Sequence, residues 1–392
     1  MKRFWALLLA CVLACSAFPA RAAWTDAQRE EADAFFARLF AQKNTVGGAV
    51  IVNQGGERVY AYFHGRSGGR KPVTEETVYK VASITKLITA IGVMQLVEQG
   101  KLQLDAPLLN NAGEPLRNPR FPEEDITLRQ VMSHTSSLSH SANYTGTPRW
   151  TEKYFNDFAP GAGYEYANLN GGLLGSLIEG ASGQSVNTYM AEHVFGPLHI
   201  NAAYAATLLP DPAQLANSFG PSGQVVQSAT GYLRVDAGYD DTCDPDTHFR
   251  TTVGSLYISL QGLEALGAML ANEGSYQGVR LLKPGSVHLM QMNQARLAGS
   301  VTGESPYGLN TYRYLLDGVT WYGHQGWWSG RLADLFYEPE SRTAVVLVMT
   351  GNDRTVGTVS PEVAAQMERT LRFIAPWIDP GEIDLTIIDD ED

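Results

Sequence analysis

Cysteine is scarce. The 392 residues hold three, and two of them, Cys11 and Cys15, fall in the leader at the start of the chain. Only Cys243 is left, so a disulfide framework within the folded chain is excluded. A nucleophilic role for Cys243 is disfavoured, because Asp241 and Asp244 beside it work against the thiolate. Positive charge is also short: 29 Lys and Arg stand against 41 Asp and Glu, a formal net charge of −12. No basic patch breaks that balance, which argues against nucleic acid and anionic membrane surfaces as partners. His-Glu-x-x-His and paired cysteines are missing, so nothing suggests zinc. The run Asp236, Asp240, Asp241, Asp244, Asp246, His248 lacks calcium-loop spacing and reads as an acidic surface loop. No metal or other cofactor is expected. No Gly-x-Ser-x-Gly nucleophile elbow, with a strand before it and a helix after it, is expected, which argues against an α/β-hydrolase. There is no internal repeat, and no linker marks a second domain.

What is present is the composition of a folded protein, 44% hydrophobic and 18% charged, enough for a sizeable core. Lys2 and Arg3 precede an apolar run, Phe4 to Phe18, too short to span a bilayer. Ala20-Arg21-Ala22 follows as a small-x-small cleavage site. This reads as a signal peptide over residues 1–22, with no transmembrane anchor and an exported, periplasmic or secreted product. Val12-Leu13-Ala14-Cys15 offers a second reading, a lipid on Cys15; cleavage is favoured because the apolar run continues past it. The expected organisation is one domain over 23–380 and an acidic tail over 381–392.

Periodicity predicts helices over Trp24–Ala41, Val81–Gln99, Gly171–Gly180, Val186–Phe195, Leu256–Asn272 and Glu362–Ile374. Hairpins are expected over Gly48–Asn53 with Arg58–Phe63, around Asp317-Gly318, and over Leu332–Tyr337 with Thr343–Thr350. Strands thus come from both ends of the chain with helices between them. The economical architecture is α/β of the α+β type. One antiparallel sheet is flanked by the terminal helices, and a mostly helical lobe is inserted in the middle.

Three short segments carry chemistry. In Ser83-Ile84-Thr85-Lys86, the hydroxyl and the amine share a helix face. Ser83 lies in the first turn of an apolar helix, where backbone N–H groups and the helix dipole favour developing negative charge. A serine needs a base, and a lysine serves once burial lowers its pKa. Taken alone this spacing is common; the apolar neighbours of Lys86 raise it, since an unpaired buried lysine is costly. In Tyr166-Ala167-Asn168, the phenol and the amide are expected on one side of an extended segment. A phenol near Lys86 can share its proton, and Asn168 can hold the lysine or a substrate carbonyl. In Gly323-His324-Gln325-Gly326, a small Gly326 lets a substrate lie along the strand edge. The N–H of Trp327 can join that of Ser83 in an oxyanion hole. His324 is expected to donate to a substrate carbonyl or carboxylate, or to tune the Tyr–Lys pair.

In this order, Ser-x-x-Lys, Tyr-x-Asn and His-x-Gly resemble the serine β-lactamase and penicillin-binding-protein family, in its class C β-lactamase-related branch of esterases and D-amino-acid peptidases. The likeness runs from about Val46 to Gly351. It includes Val78 to Ser83, Ile126 to Ser136 and Phe195-Gly196-Pro197-Leu198. The resemblance implies a β-lactamase-like fold with the active site between sheet and helical lobe. It implies Ser83 as the acylated nucleophile, Lys86 and Tyr166 as base and proton relay in either order, and Asn168 on the substrate amide. It places His324 and Gly326 where the family's Lys-Thr-Gly strand lies, and treats His134-Thr135-Ser136 as a structural turn. His324 stands in place of that lysine and is mostly neutral at pH 7, which weakens the reading of a β-lactamase. Ser137 and His199 stand where the family carries glycine. Trp327-Trp328 is bulky, either narrowing an acyl pocket or packing in the core. The expected function is hydrolysis of an amide or ester of a small molecule or peptide. The competing expectation is a non-catalytic peptidoglycan-binding or sensing protein on the same fold.

Overall fold

The structure, a computed structural model, describes residues 24–110, 113–140, 150–245, 248–294, 307–351 and 361–377. The leader 1–22, Asp246 and the acidic tail 381–392 lie outside the described residues. The principal elements are α1 (Asp26–Gln42), β1 (Gly47–Gln54), β2 (Glu57–Gly68), β3 (Lys71–Pro72), β4 (Val78–Lys80), α2 (Ile84–Glu98), α3 (Leu128–Met132), α4 (Asn168–Ser182), β5 (Ala202–Ala203), β6 (Tyr257–Ser259), α5 (Leu260–Ala271), β7 (Tyr312–Leu316), β8 (Val319–Trp328), β9 (Arg331–Glu338), β10 (Thr343–Thr350) and α6 (Pro361–Ile374).

Seven strands form one sheet in the order β7-β8-β9-β10-β1-β2-β3, antiparallel throughout. Strands β1, β9 and β10 are buried along their whole length. Both faces of the sheet are therefore covered, which is why β1 and β10 carry apolar residues on both faces instead of alternating. On one face, Ala49, Ile51, Val346 and Val348 join the large core around α2 and α5. On the other, Val50, Val52, Val345 and Leu347 meet the terminal helices. There Phe35 of α1 stacks on Phe373 of α6 at 4.0 Å. Helix α1 starts where Thr25 and Gln28 close a capping box.

Within the segment expected to be helical from Leu256, Tyr257 to Ser259 is instead strand, and α5 begins at Leu260. Tertiary pairing overrides the periodicity: β6 lies between β4 and β5, with Tyr79 opposite Ile258 and Lys80 opposite Tyr257. Ser259 then caps α5 by accepting from the Gly262 N–H. The small sheet fixes the approach to Ser83, since the Val81 N–H continues the ladder onto the Leu256 carbonyl. Ser137 and His199 both adopt left-handed backbone, φ +64° and +53°, which accounts for a family preference for glycine there.

Candidate active site

Helix α2 is buried at every position from Ile84 to Met94, while Ser83, just before it, is partly exposed. Ala82 carries φ +47°, a strained left-handed turn immediately ahead of the serine. Gly254 lies against it: a Cβ there would stand 3.4 Å from the Ala82 carbonyl carbon. The side chain of Ser83 makes no capping bond to the helix. Its Oγ lies 3.2 Å from Nζ of Lys86.

Lys86 is wholly buried. Its Nζ donates to the Val253 carbonyl at 2.6 Å, and among the described residues no carboxylate pairs with it. Burial alone pushes its pKa down to about 7. The aliphatic stem rests on Gly171 of α4, where a Cβ would come within 2.6 Å of Cε. The ring of Tyr166 stands with its centroid 5.3 Å from Nζ.

Tyr166 and Asn168 are not on one strand. Tyr166 lies outside any helix or strand, whereas Asn168 is the first residue of α4, after Ala167 at φ −122° and ψ 130°. The expected alternation therefore breaks between them. Tyr166 stacks on His134, ring centroids 4.4 Å apart. His134, with left-handed backbone at φ +57°, accepts at Nδ1 from the Ala167 N–H (3.1 Å) and lies 3.0 Å from Asn170 Nδ2. Ser136 Oγ donates to Asn170 Oδ1 at 2.6 Å. The His134 turn is thus a platform beneath Tyr166. Burial, with the Lys86 charge second, holds the imidazole well below its ordinary pKa.

His324 differs from the expected donor. It is 1% exposed, and both ring nitrogens are engaged. Nδ1 meets the carbonyl of Gln325 at 2.6 Å, and a carbonyl only accepts, so Nδ1 carries the proton. Nε2 then accepts from the Tyr307 hydroxyl, also at 2.6 Å. Burial, and next the Lys86 charge, push the imidazole down to about 3. A neutral ring with its one N–H in use has nothing left to donate to a substrate. Tyr307 was not legible as a site residue; no motif surrounds it, and no spacing ties it to His324.

Gly326 is small for a different reason than expected. A Cβ on it would overlap the carbonyl oxygen of Val81, so β8 packs directly on the segment that leads into Ser83. Alternate residues put His324, Gly326 and Trp328 on that inner face. Trp327 points the other way and packs under the terminal helices. β7 pairs with β8 only as far as Gly323, so from His324 onward β7 does not cover this edge. Among the described residues no group of three or more His, Cys, Asp or Glu could hold a metal. No described helix is long and apolar enough to cross a membrane.

A family model described as Beta-lactamase matches residues 32–366, and the chain belongs to that family, the serine β-lactamase and penicillin-binding-like hydrolases. It is 29% identical to esterase EstB of Burkholderia gladioli, over 42% of this chain and 48% of that one. It is 30% identical to the D-alanyl-D-alanine-carboxypeptidase/endopeptidase AmpH of Escherichia coli, over 46% and 50%. The matches thus span about half the length of these relatives. The fold is shared with the octameric penicillin-binding protein homologue from Pyrococcus abyssi, TM-score 0.68 and 21% identity, over 91% of this chain and 79% of that one.

Proposed function

We propose that this protein is an exported serine hydrolase that forms an acyl-enzyme on Ser83 and releases it to water. The observation that carries the reading is a partly exposed hydroxyl 3.2 Å from a wholly buried amine whose pKa lies at about 7. At neutral pH a large share of Lys86 is the free amine. It takes the Ser83 proton as Oγ bonds to the substrate carbonyl carbon. The N–H groups of Ser83 and Trp327 receive the oxyanion. The C–O or C–N bond then breaks, and the leaving group takes the proton back, directly from Lys86 or through Tyr166. Water adds by the same steps in reverse, and Asn168 orients the acyl carbonyl. A scaffold protein without turnover has no use for a buried, unpaired lysine. Export rests on the composition of residues 1–22, with cleavage after Ala22 or a lipid on Cys15.

The substrate class follows from His324. A neutral imidazole with no spare donor gives no charge to hold a carboxylate on the leaving group. This favours esters and simple amides with uncharged leaving groups over peptides ending in a free D-alanine. β-Lactams come third. The test is one panel on the purified protein: a short-chain nitrophenyl ester, a D-Ala-D-Ala peptide and a chromogenic cephalosporin. The ester is expected to be turned over fastest and to need Ser83. A peptidase rate above the ester rate would overturn the preference. Turnover undiminished in Ser83→Ala would overturn the reading as a whole.

A further inference from the structure

The inner face of β8 has two unlike ends. Gly326, at its centre, packs on Val81, two residues before Ser83. His324 lies two residues to one side and is neutral. Trp328 lies two residues to the other, about 7 Å along the strand. That end is cationic. Nζ of Lys80 stands over the Trp328 ring at 5.9 Å, the Tyr257 ring at 5.2 Å and the Tyr232 ring at 6.0 Å. Arg331, opposite Trp328 in the ladder, is buried beside it. Its guanidinium donates to the Lys80 carbonyl (2.6 Å), Ser218 Oγ (2.6 Å) and the Tyr232 hydroxyl (2.7 Å), with no carboxylate among its partners in the described residues.

The Lys80 ammonium makes no hydrogen bond or ion pair among the described residues, and the residue is only partly buried. Asp236 is the one carboxylate that acts on it, and that acid is already engaged by the Ala206 N–H at 2.7 Å and by Tyr257. The carboxylate that acts on Lys80 is thus already occupied. An ammonium walled by rings, with its N–H groups unspent, is a receptor for an anion. Since Lys80 is three residues from Ser83, their Cα atoms lie within about 11 Å.

We infer that Lys80, framed by Trp328 and Tyr232, is a carboxylate subsite for the far end of the acyl group, which makes half-esters of dicarboxylic acids preferred substrates. The charge that His324 withholds from the leaving group is supplied at the opposite end of the strand. This rests on acyl transfer at Ser83.

The test compares mono(4-nitrophenyl) glutarate with 4-nitrophenyl pentanoate, which differ by a carboxylate in place of a terminal methyl. The native protein is expected to favour the glutarate about tenfold in kcat/KM, mostly through KM, and to lose that preference as salt rises. Lys80→Met should erase the preference and leave the pentanoate rate within about twofold, and Lys80→Arg should restore most of it. An absent preference in the native protein, which needs no variant to detect, overturns the subsite. So does an equal loss on both esters in Lys80→Met, the mark of a structural role. Ser83-dependent turnover of the pentanoate without a glutarate preference sinks only the subsite. Turnover that survives Ser83→Ala sinks the acyl-enzyme reading, and the subsite falls with it.

Discussion

The Tyr307 hydroxyl and the His324 ring share one proton direction: the phenol donates to Nε2 across 2.6 Å because Nδ1 has already spent its proton on the Gln325 carbonyl. The imidazole is thereby held as one neutral tautomer. Imidazole nitrogen NMR should find that tautomer at pH 5, since the ring titrates at about 3. Titration near 6.5 would contradict it. Tyr307→Phe leaves a buried acceptor without its donor and should cost about 1–3 kcal/mol of stability.

Lys86 sets the pH dependence of turnover. A base must be unprotonated to accept a proton, so kcat/KM should fall as pH drops through about 7. Lys86→Arg keeps the charge at every pH and should lose roughly 10²–10⁴-fold in rate. A flat profile between pH 5 and 9, or an active arginine variant, would remove lysine from the role of base.

Gly326 tests how tightly the serine is positioned. Any Cβ there overlaps the Val81 carbonyl, so Gly326→Ala must push the strand or the Ser83 segment aside. Displacement of this kind costs about 100-fold in rate, and it should appear in kcat, with the folded state retained by circular dichroism. Unchanged kcat would show that the approach of β8 does not position Ser83.

The acidic loop is held by a buried ion pair. His248 donates from Nδ1 to Glu179 (2.7 Å) and from Nε2 to the Asp240 carbonyl (2.6 Å), the pattern of an imidazolium. The hydrogen bond to Glu179 raises the His248 pKa above 6.5. Its stabilisation is therefore complete below the unfolded value and is lost as pH rises through the higher folded one. His248→Gln should cost about 3 kcal/mol at pH 6, and the melting gap to the native protein should shrink by pH 9. A gap that widened with pH would reverse the assigned charge.

Local signals made much of this legible. Asp317-Gly318 between two β-rich runs gives the hairpin of β7 and β8, and the apolar setting of Lys86 lifts Ser-x-x-Lys above coincidence. What stayed hidden depends on distant partners. Tyr257 to Ser259 reads as helix until β4 claims it as a strand. The smallness of Gly326 points to an open edge until Val81 is found against it. His324 looks like a donor until Tyr307 occupies it. The acidic run looks like plain surface, yet His248 within it is buried against Glu179. Trp327 and Trp328 part company because a pleat sends neighbours to opposite faces.

The most direct measurement is intact-protein mass spectrometry after exposure to a fluorophosphonate, with peptide mapping of the product. One adduct per chain, located on Ser83, absent in Ser83→Ala and slowed in Lys86→Ala, is the expected result. No adduct under any condition, or an adduct on another serine, would contradict Ser83 as the nucleophile.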